Sequence, residues 1–381
     1  MQHMPTFLDF DEALDRRAAG AVWIDVREPD EWRTAHIDGT ELVPLGELMD
    51  VVEQRWPDRS TTLLLSCASG ARSQYAADAL RAAGWADAHN VGGIQQWVAQ
   101  GRPVLSDTGL SREQNDRYSR HIAIPEIGVA GQQRLLAARV LLLGAGGLGS
   151  PAALYLAAAG VGTIGIIDDD VVERSNLQRQ LVHTEQRIGE AKVDSAAQAL
   201  RALNPDVQVE ALRTRLDRDN APDLLDRDWD VIVDGTDNLP TRYLVNDVAV
   251  HLGIPVVHGS IYRFEGQVTV FAPFEGPCYR CLYPEPPPPE LAPSCAEGGV
   301  LGVLPGIIGS LQASEAIKVV LGIGEPLVGR LLMYDALAGT VDTLRLRRDP
   351  ACPACGVVHA PGEGTLELVD YEAFCALPAR A

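Results

Sequence analysis

Residues 139–160 read RVLLLGAGGLGSPAALYLAAAG, and this stretch decides the fold of most of the chain. Its first five residues are mostly apolar and predict a buried strand, while residues 150–159 are rich in alanine and predict a helix. Between them, Gly144, Gly146 and Gly149 satisfy the pattern G-x-G-x-x-G. Without side chains, the backbone of such a turn can approach a phosphate at the helix N-terminus. The stretch therefore predicts a nucleotide-binding site, with a tight turn that binds no ligand as the alternative.

Strands and helices alternate after this turn. Residues 163–168, 230–234 and 255–258 read as strands, and residues 192–203 and 242–252 read as helices. This alternation predicts an α/β fold with a Rossmann-like, doubly wound sheet. Asp168 ends the second strand, about 20 residues beyond the glycines, where an acidic residue binds a ribose hydroxyl. Up to this point, the pattern suits a nicotinamide-dependent oxidoreductase as well as an ATP-dependent enzyme.

Polar residues beyond the next strands favour ATP. Residues 175–180 (SNLQRQ) include Arg179, Lys192 opens a helix, and Asp237 and Asn238 follow the strand at residues 230–234. Two cations suit the phosphate oxygens of a triphosphate whose pyrophosphate leaves, and a carboxylate suits Mg²⁺. The pyrophosphate of a dinucleotide does not require this many charged groups.

The first hundred residues predict a second, smaller α/β unit. Residues 21–26 and 62–65 read as strands, and the latter runs directly into the loop CASGARS at residues 67–73. A helix is predicted to follow over residues 72–83. Because residues 101–111 are rich in glycine, proline and serine, they indicate a linker. We therefore predict a first domain over residues 1–104, a linker over 105–116 and a second domain over 117–381.

The composition limits the class of protein. The chain has 381 residues, with 32 basic against 52 acidic residues and a net charge of -20. No basic cluster appears, so a nucleic-acid partner is not expected. The acidic N-terminus has no long apolar core and no apolar run reaches about 18 residues, so neither a signal peptide nor a membrane span is expected. These features predict a cytoplasmic enzyme.

The seven cysteines include two C-x-x-C pairs, Cys278 with Cys281 and Cys352 with Cys355. Together the pairs offer four thiolates for a tetrahedral Zn²⁺ site. Their separation along the chain exceeds that of a zinc finger, so each pair could also be a redox dithiol. Cys295 lies outside both pairs and is either a catalytic thiol or an inert loop residue.

Several motifs occur in the order found in the MoeB/ThiF family. They are RYSRHI (117–122), GAGGLG (144–149), IIDDD (166–170), SNLQRQ (175–180), DGTDN (234–238), GQVTVF (266–271), CYRC (278–281) and SCAEGGV (294–300). Residues from about 117 to 355 thus resemble this family of relatives of ubiquitin-activating enzymes, and its MoeZ-like branch in particular. The resemblance implies adenylation of the C-terminal Gly-Gly carboxylate of a ubiquitin-like sulfur carrier (MoaD/ThiS-like), carried out by a homodimer.

The same resemblance implies roles for individual residues. Arg120 would reach the triphosphate of the other subunit, Asp237 would bind Mg²⁺, and the four paired cysteines would hold a structural Zn²⁺. Cys295 would attack the carrier adenylate or resolve an acyl disulfide. The expected nucleotide-binding residues are Gly144, Gly146, Gly147, Asp168, Ser175, Asn176, Leu177, Gln178, Arg179, Lys192, Asp237 and Asn238.

Residues 5–104 resemble a rhodanese domain through DVRE (25–28), HIDG (36–39), CASGARS and NVGGIQQW (90–97). This resemblance implies that Cys67 carries a persulfide, and that Arg72 and the backbone amides of the loop stabilise the anionic sulfur. The domain order differs from familiar fusions, in which the rhodanese follows the adenylating domain. Whether sulfur moves within one chain or between chains therefore stays open.

The leading hypothesis is an enzyme that adenylates a sulfur carrier and then converts it to a thiocarboxylate. The alternatives are adenylation with the rhodanese serving another acceptor, a nicotinamide-dependent oxidoreductase, and a docking scaffold. The sulfur donor, thiosulfate or a cysteine desulfurase, is open. The pathway is also open among molybdopterin, thiamine, cysteine and tRNA thiolation.

Overall fold

The computed structural model describes residues 8–287, 298–356 and 360–376, and the chain forms two compact units, Met1–Ala130 and Gly131–Ala381. The first unit is built on a four-stranded parallel sheet in the order β2-β1-β3-β4. Its elements are α1 (Phe10–Ala18), β1 (Val22–Asp25), α2 (Pro29–Thr34), β2 (Glu41–Leu42), α3 (Leu48–Arg55), β3 (Leu63–Cys67), α4 (Ala71–Ala82), β4 (Ala88–Gly93), α5 (Ile94–Ala99), α6 (Arg112–Arg117) and α7 (Ser119–Ile122).

Strand β3 is the centre of this unit, because it pairs with β1 on one side and β4 on the other. All five of its residues are buried, and a near-continuous apolar run is what a parallel strand covered on both faces requires. Trp23 Nε1 donates to Ser66 Oγ at 3.0 Å, which satisfies the one polar side chain within the strand. The strand ends at Cys67, so the first turn of α4 begins beside its thiol.

The segment predicted as a linker is held to the first unit at its start. The backbones of Leu105 and His36 exchange two hydrogen bonds, of 2.8 and 2.9 Å. Farther along, Ser111 caps α6 by accepting a hydrogen bond from Gln114 N at 3.1 Å. The composition of the segment did not reveal this pairing, since a single β-bridge leaves no periodic pattern.

The second unit contains an eight-stranded sheet in the order β12-β11-β10-β9-β8-β5-β6-β7. Its elements are α8 (Gly128–Ala137, which begins within the first unit), β5 (Arg139–Leu143), α9 (Gly149–Ala159), β6 (Thr163–Ile167), α10 (Lys192–Leu203), β7 (Gln208–Leu212), α11 (Ala221–Leu225), β8 (Val231–Asp234), α12 (Leu239–Leu252), β9 (Val256–Tyr262), β10 (Glu265–Phe271), α13 (Tyr279–Leu282), α14 (Leu304–Leu321), β11 (Arg330–Asp335), β12 (Thr340–Arg345) and α15 (Tyr371–Ala376). The predicted α/β fold class is confirmed.

The five strands β5 to β9 are parallel to one another; four of them were predicted from the sequence and β7 was not. Strands β10, β11 and β12 extend the sheet in antiparallel fashion, and the sequence analysis did not predict this extension. β5 lies between β6 and β8, so the chain winds outward from it in two directions. The carboxyl ends of β5 and β8 therefore meet at a topological switch point, where open α/β sheets bind ligands.

Helix α14 is the only helix among the described residues that is long and apolar enough to cross a membrane, and 50% of its residues are buried. It packs on α9 and on β8, β9 and β10. Its buried Gln312 donates to the carbonyls of Asp234 and Val257 at 2.7 and 3.1 Å. A helix with these contacts is the core helix of the sheet, and nothing in its surroundings indicates a membrane protein.

Candidate functional site

A cavity of about 890 Å³ opens at the switch point of the eight-stranded sheet. It is lined by the glycine-rich turn after β5, the acidic residues after β6 and the polar turn after β8. Of the residues predicted from the sequence, the cavity is lined by Gly144, Gly146, Gly147, Asp168, Asn176, Arg179, Lys192, Asp237 and Asn238. Side chains that are far apart in the sequence thus converge on one volume large enough for a nucleotide.

The glycine-rich turn is shaped by positions that exclude side chains. Gly144 has φ +91°, in the left-handed region that glycine adopts without strain. A Cβ at Gly149 would lie 1.9 Å from the carbonyl oxygen of Gly144. The close approach of the turn to the start of α9 therefore requires glycine at position 149.

Ala145, inside this turn, is fixed through both of its backbone groups. Its N–H donates to Asp168 Oδ2 at 2.8 Å, and its carbonyl lies 2.9 Å from His183 Nε2. Because a carbonyl only accepts, Nε2 carries the proton, and Nδ1 accepts from Ser195 Oγ at 2.8 Å. Burial lowers the pKa of His183, so the ring is neutral and its tautomer is set by these two contacts.

Asp168 and Lys192 supply the charges closest to the turn. Burial raises the pKa of Asp168, although the charge of Lys192 and hydrogen bonds from Ala145 and Asp170 act in the opposite direction. The amine of Lys192 donates to Asp170 Oδ2 at 2.6 Å while its side chain is only 7% exposed. This pair lies at the cavity, so an anion that enters there competes with the exposed carboxylate of Asp170 for a desolvated amine.

Only part of the polar segment at residues 175–180 faces the cavity. Asn176 is buried and accepts from Glu173 N at 3.0 Å, and Arg179 Nη1 donates to the carbonyl of Ser175 at 3.1 Å. The described lining does not include Ser175, Leu177 or Gln178, so the nucleotide-binding role expected for these three stays a prediction. Ser175 Oγ instead donates to Glu173 at 3.1 Å, and Gln178 packs against Gly302. A tight 3-10 turn points successive side chains in different directions, which a linear motif does not reveal.

The turn after β8 contributes one exposed carboxylate and one helix cap. Asp237 is exposed where it lines the cavity, as an oxygen ligand for a hydrated cation should be. Asn238 Oδ1 accepts from Thr241 N at 3.0 Å and so caps α12. The side-chain oxygen of Asn238 is therefore already engaged, whereas that of Asp237 remains accessible from the cavity.

Several cavity residues were not predicted from the sequence, and three of them have polar side chains that shape the site: Arg242, Gln180 and His258. Arg242 Nη2 donates to the carbonyl of Thr236 at 2.7 Å, while its buried Nε has no partner among the described residues. Gln180 Oε1 is likewise buried and unpaired in that part of the chain. Since buried polar atoms are nearly always hydrogen-bonded, both mark places for a polar ligand atom. Gln180 is the last residue of the SNLQRQ motif, and its place in that motif could have identified it as a site residue.

The third missed residue is His258, on β9. Its Nδ1 donates to Asp234 Oδ2 at 2.7 Å, and both side chains are almost fully buried. Burial lowers the pKa of His258, so a neutral imidazole orients an ionised carboxylate. Asp234 Oδ1 also accepts from the backbone and hydroxyl of Thr236, at 2.9 and 2.6 Å. This network fixes the backbone that presents Asp237.

Two predicted residues cannot be placed in the cavity. Arg120 is exposed on α7, in the first unit. Cys295 lies outside the described residues. The roles predicted for both residues therefore stay predictions.

The four paired cysteines form one cluster. All four sulfur atoms lie within 4.8 Å of one another, and neighbouring Sγ atoms are 3.9, 3.6 and 3.4 Å apart. A tetrahedral zinc–thiolate site, with zinc–sulfur bonds of about 2.3 Å, has sulfur atoms about 3.8 Å apart. The geometry fits a closed four-cysteine metal site that joins α13 to residues 352–355. The alternative of two separate redox dithiols loses its support, because the pairs are not separate.

A network of hydrogen bonds links the four-cysteine cluster to helix α15. The guanidinium of Arg280, between two of the cysteines, donates to both carboxylate oxygens of Asp247 at 2.7 Å. The hydroxyl of Tyr371, on α15, donates to the same carboxylate at 2.7 Å. Cys375 is half-buried and packs against the adjoining apolar core.

A second chemical site lies in the first unit, around Cys67. Gly70 N donates to its Sγ at 3.1 Å and Ser73 Oγ does so at 3.3 Å. Burial opposes ionisation, but the hydrogen bonds from Ser73, Gly70 and the backbone of Ser69 together hold the pKa of Cys67 below its usual value. Gly70 has φ +101°, which lets the loop wrap around the sulfur. The loop is thus built for a thiolate or another anionic sulfur.

Arg72, the other residue predicted for this site, begins α4 beside the loop. Its Nη1 and Nη2 donate to the two carboxylate oxygens of Glu31 at 2.8 and 2.7 Å. Asn90 supports the loop from β4, because its amide nitrogen donates to the carbonyl of Gly70 at 3.2 Å and its Oδ1 accepts from Gly92 N at 2.9 Å. Neither Glu31 nor Asn90 was predicted as a site residue from the sequence.

Comparison with known protein families assigns both units. Residues 118–354 match the ThiF family and residues 9–100 match the rhodanese-like domain. The chain belongs to the ThiF family. It combines a ThiF/MoeB-type adenylyltransferase domain with an N-terminal rhodanese domain, and this confirms the resemblance seen in the sequence.

Two known relatives are closely similar over about 70% of the chain. The "Sulfur carrier protein adenylyltransferase" of Thermus thermophilus is 54% identical over 272 residues, which cover 70% of this chain and 98% of the relative. The "Probable adenylyltransferase/sulfurtransferase MoeZ" of Mycobacterium tuberculosis is 55% identical over 276 residues, covering 71% of this chain and 68% of the relative. Relatives of this ThiF protein are thus named as adenylyltransferases and sulfurtransferases.

Solved structures agree on the fold of the ThiF unit. A crystal structure of E. coli MccB with MccA-N7isoASN superposes with a TM-score of 0.56 at 22% identity, covering 66% of this chain and 78% of MccB. At this level of identity, the likeness concerns the fold alone.

Proposed function

We propose that this chain adenylates the C-terminal Gly-Gly carboxylate of a ubiquitin-like sulfur carrier and then transfers sulfur to it from Cys67. The observation that carries the proposal is the cavity at the switch point, where Lys192, Arg179 and Asp237 face a glycine-rich turn. Relatives at 54–55% identity over 70–71% of the chain are named for adenylation of a sulfur carrier or for adenylation with sulfur transfer.

The first step follows from the charges around the cavity. The carrier carboxylate is already anionic at neutral pH and needs no base. Its oxygen attacks the α-phosphorus of ATP, the bond from that phosphorus to the bridging oxygen breaks, and pyrophosphate leaves. Lys192 and Arg179 are the cations placed to take up charge on the departing pyrophosphate. The fixed backbone of Ala145 and the carboxylate of Asp168 position the rest of the nucleotide.

Two metals fit the donor groups of the second unit. Asp237 would hold Mg²⁺, which neutralises phosphate charge when it is bound. The four cysteines would hold Zn²⁺, which joins α13 to the C-terminal segment and has no open position for chemistry.

The second step uses the loop around Cys67. The outer sulfur of a persulfide on Cys67 attacks the acyl carbon of the adenylate, and AMP leaves with its oxygen. The resulting acyl disulfide is cleaved by a thiol, which releases the thiocarboxylate and forms a disulfide that an external thiol reduces. Cys295 is the candidate for this thiol within the chain. The hydrogen bonds that hold the Cys67 sulfur anionic support the persulfide role.

The proposal also covers features that extend beyond a single chain. The enzyme acts as a homodimer in the cytoplasm, and Arg120 of one subunit assists the nucleotide site of the other. Its domains follow the predicted boundaries, 1–104 and 117–381. Its sulfur donor is thiosulfate or the persulfide of a cysteine desulfurase.

The proposal is tested by the intact mass of a carrier ending in Gly-Gly after incubation with ATP, Mg²⁺, a sulfur donor and a thiol. The full chain should replace one carrier oxygen with sulfur. Cys67→Ser should abolish this product and leave carrier adenylate to accumulate. Cys375→Ser, which removes a packed thiol of the second unit, should behave like the unaltered chain. If Cys67→Ser still forms the thiocarboxylate, the proposed sulfur transfer from Cys67 to the carrier is wrong. Adenylation would then stand, and the rhodanese domain would serve another acceptor.

A further inference from the structure

The guanidinium of Arg72, the cation beside the Cys67 loop, forms a salt bridge with a single carboxylate. Both of its terminal nitrogens donate to Glu31, in the bidentate arrangement that is the strongest geometry for this pair. The two side chains are 35% and 37% exposed, so incoming molecules can reach the pair. The positive charge that an anionic donor would meet at this loop is therefore largely cancelled.

Glu31 is itself fixed by the fold. Its Oε2 accepts from Glu28 N at 3.1 Å, at the start of α2, and its carbonyl accepts from Arg27 at 3.2 Å. Arg27 is buried, and its Nη2 donates to Asp25 Oδ2 at 2.7 Å. The hydrogen bonds from Arg72 also hold the pKa of Glu31 below its usual value, so the carboxylate is ionised at neutral pH. The ion pair is part of the scaffold of the site.

Donors of sulfane sulfur differ in the charge that they bring to this loop. With thiosulfate, the Cys67 thiolate attacks the outer sulfur, the sulfur–sulfur bond breaks, and sulfite leaves with the electron pair. Donor and leaving group are then both dianions, and they need a cation that is available. With an alkyl persulfide, the thiolate attacks the outer sulfur of R–S–SH and R–S⁻ leaves. Cys67 then carries –S–SH and only one negative charge has moved.

We propose that Glu31 is a specificity-determining residue that neutralises Arg72 and so favours alkyl persulfides over thiosulfate as donors to Cys67. This inference rests on the proposed role of Cys67 as a persulfide carrier. The Gly70 N–H and the Ser73 hydroxyl are already directed at the Cys67 sulfur, so they do not replace the missing cation for a dianion. Releasing Arg72 from Glu31 should admit thiosulfate.

The test compares thiosulfate with glutathione persulfide as donors to the full chain, with cyanide as acceptor and thiocyanate as readout. Glu31→Gln should raise kcat/KM for thiosulfate about tenfold, mainly through KM, and change that for glutathione persulfide less than twofold. Adding Arg72→Ala to Glu31→Gln should remove the gain. As a control, Asp30→Asn removes the same charge from the neighbouring position, where the carboxylate pairs with Arg33. This variant should leave kcat/KM for both donors unchanged.

Several results would overturn the role of Glu31. In Glu31→Gln, these are an unchanged ratio of kcat/KM for the two donors, or an equal loss of kcat/KM with both. The others are a gain with thiosulfate that persists when Arg72 is also replaced, and equal kcat/KM for both donors in the unaltered chain. Activity with glutathione persulfide reports that the variant is folded. A different result would refute the proposed function itself: no gain of one sulfur atom in the mass of Cys67 with either donor.

Discussion

At the scale of single residues, Lys192 is the side chain on which the proposed adenylation depends most directly. The chain has only two lysines, Lys192 and Lys318, among its 32 basic residues. Lys192 is buried at the cavity beside Asp170, whereas Lys318 pairs with Glu315 on α14, away from the described cavity lining. A compact ammonium at this one position suits a point contact with a phosphate oxygen.

Replacing Lys192 with methionine should lower carrier-dependent ATP–pyrophosphate exchange about 100-fold or more, because one preorganised charge is lost from the transition state. Lys318→Met is the matched control and should exchange at the rate of the unaltered chain. Equal exchange rates in both variants would show that Lys192 does not act on the phosphates.

Two of the buried histidines, His183 and His258, predict a dependence of stability on pH. Burial lowers the pKa of His183 and His258, so near neutral pH the unfolded chain takes up protons before the folded chain does. Their contribution to the free energy of unfolding is complete above about pH 6.5 and falls as the pH drops below it, by up to about 1.4 kcal/mol per pH unit for each histidine.

Denaturant unfolding of the full chain and of His183→Gln from pH 8 to 5 checks this dependence. The variant should lose less stability on acidification than the unaltered chain. Asp168, whose pKa is raised, contributes with the opposite sign, but it is present in both proteins and largely cancels in the comparison. Identical slopes would mean that His183 is not held neutral.

At the scale of elements, the sequence was informative wherever a pattern was local. The strand, turn and helix around Gly144 follow from hydrophobic periodicity and glycine spacing, and helix α10 begins and ends at the predicted residues. The antiparallel strands β11 and β12 were missed because β12 is exposed along its whole length and carries no buried face to create a pattern.

In the candidate site, too, only residues that belong to local sequence patterns could be predicted. Positions at the ends of strands, such as Asp168 and Asp237, could be assigned because parallel strands bring their carboxyl ends together. Pairings between distant elements could not be assigned. Arg72 with Glu31 and His258 with Asp234 depend on how helices and strands are placed in space, and neither pair shares a local motif.

The four-cysteine cluster predicts a metal-dependent contribution to stability. Cys281→Ser should reduce bound zinc, measured by atomic emission, from about one ion per chain to a small fraction, and should lower stability by about 3 kcal/mol or more. The loss follows because residues 352–355 are then no longer joined to α13. Cys375→Ser should retain the metal. A full complement of zinc in Cys281→Ser would contradict the four-cysteine site.

At the scale of the whole molecule, the two compact units carry different chemistry. Persulfide chemistry belongs to the unit that contains Cys67, and nucleotide chemistry belongs to the unit that contains the cavity. Each unit has its own sheet and its own buried core. We therefore expect the two sites to be inactivated separately by substitutions in one unit or the other.

Thermal unfolding should reveal these units as two transitions. ATP with Mg²⁺ should raise only the transition of the second unit, by about 2.7 kcal/mol of stability at a concentration 100 times the dissociation constant. NAD should raise neither. Calorimetry of the full chain with each ligand measures this, and a shift of both transitions by ATP would mean that the units unfold as one.

ATP–pyrophosphate exchange measures whether the cavity activates the carboxylate of a Gly-Gly-ended carrier. We predict rapid exchange by the full chain with the carrier, and little exchange without it or with a carrier that lacks its final glycine. Cys67→Ser should exchange at an undiminished rate, since sulfur enters only after adenylation. Exchange at the same rate with and without the carrier would contradict carrier activation at this cavity. So would a lack of exchange with every Gly-Gly-ended carrier tested.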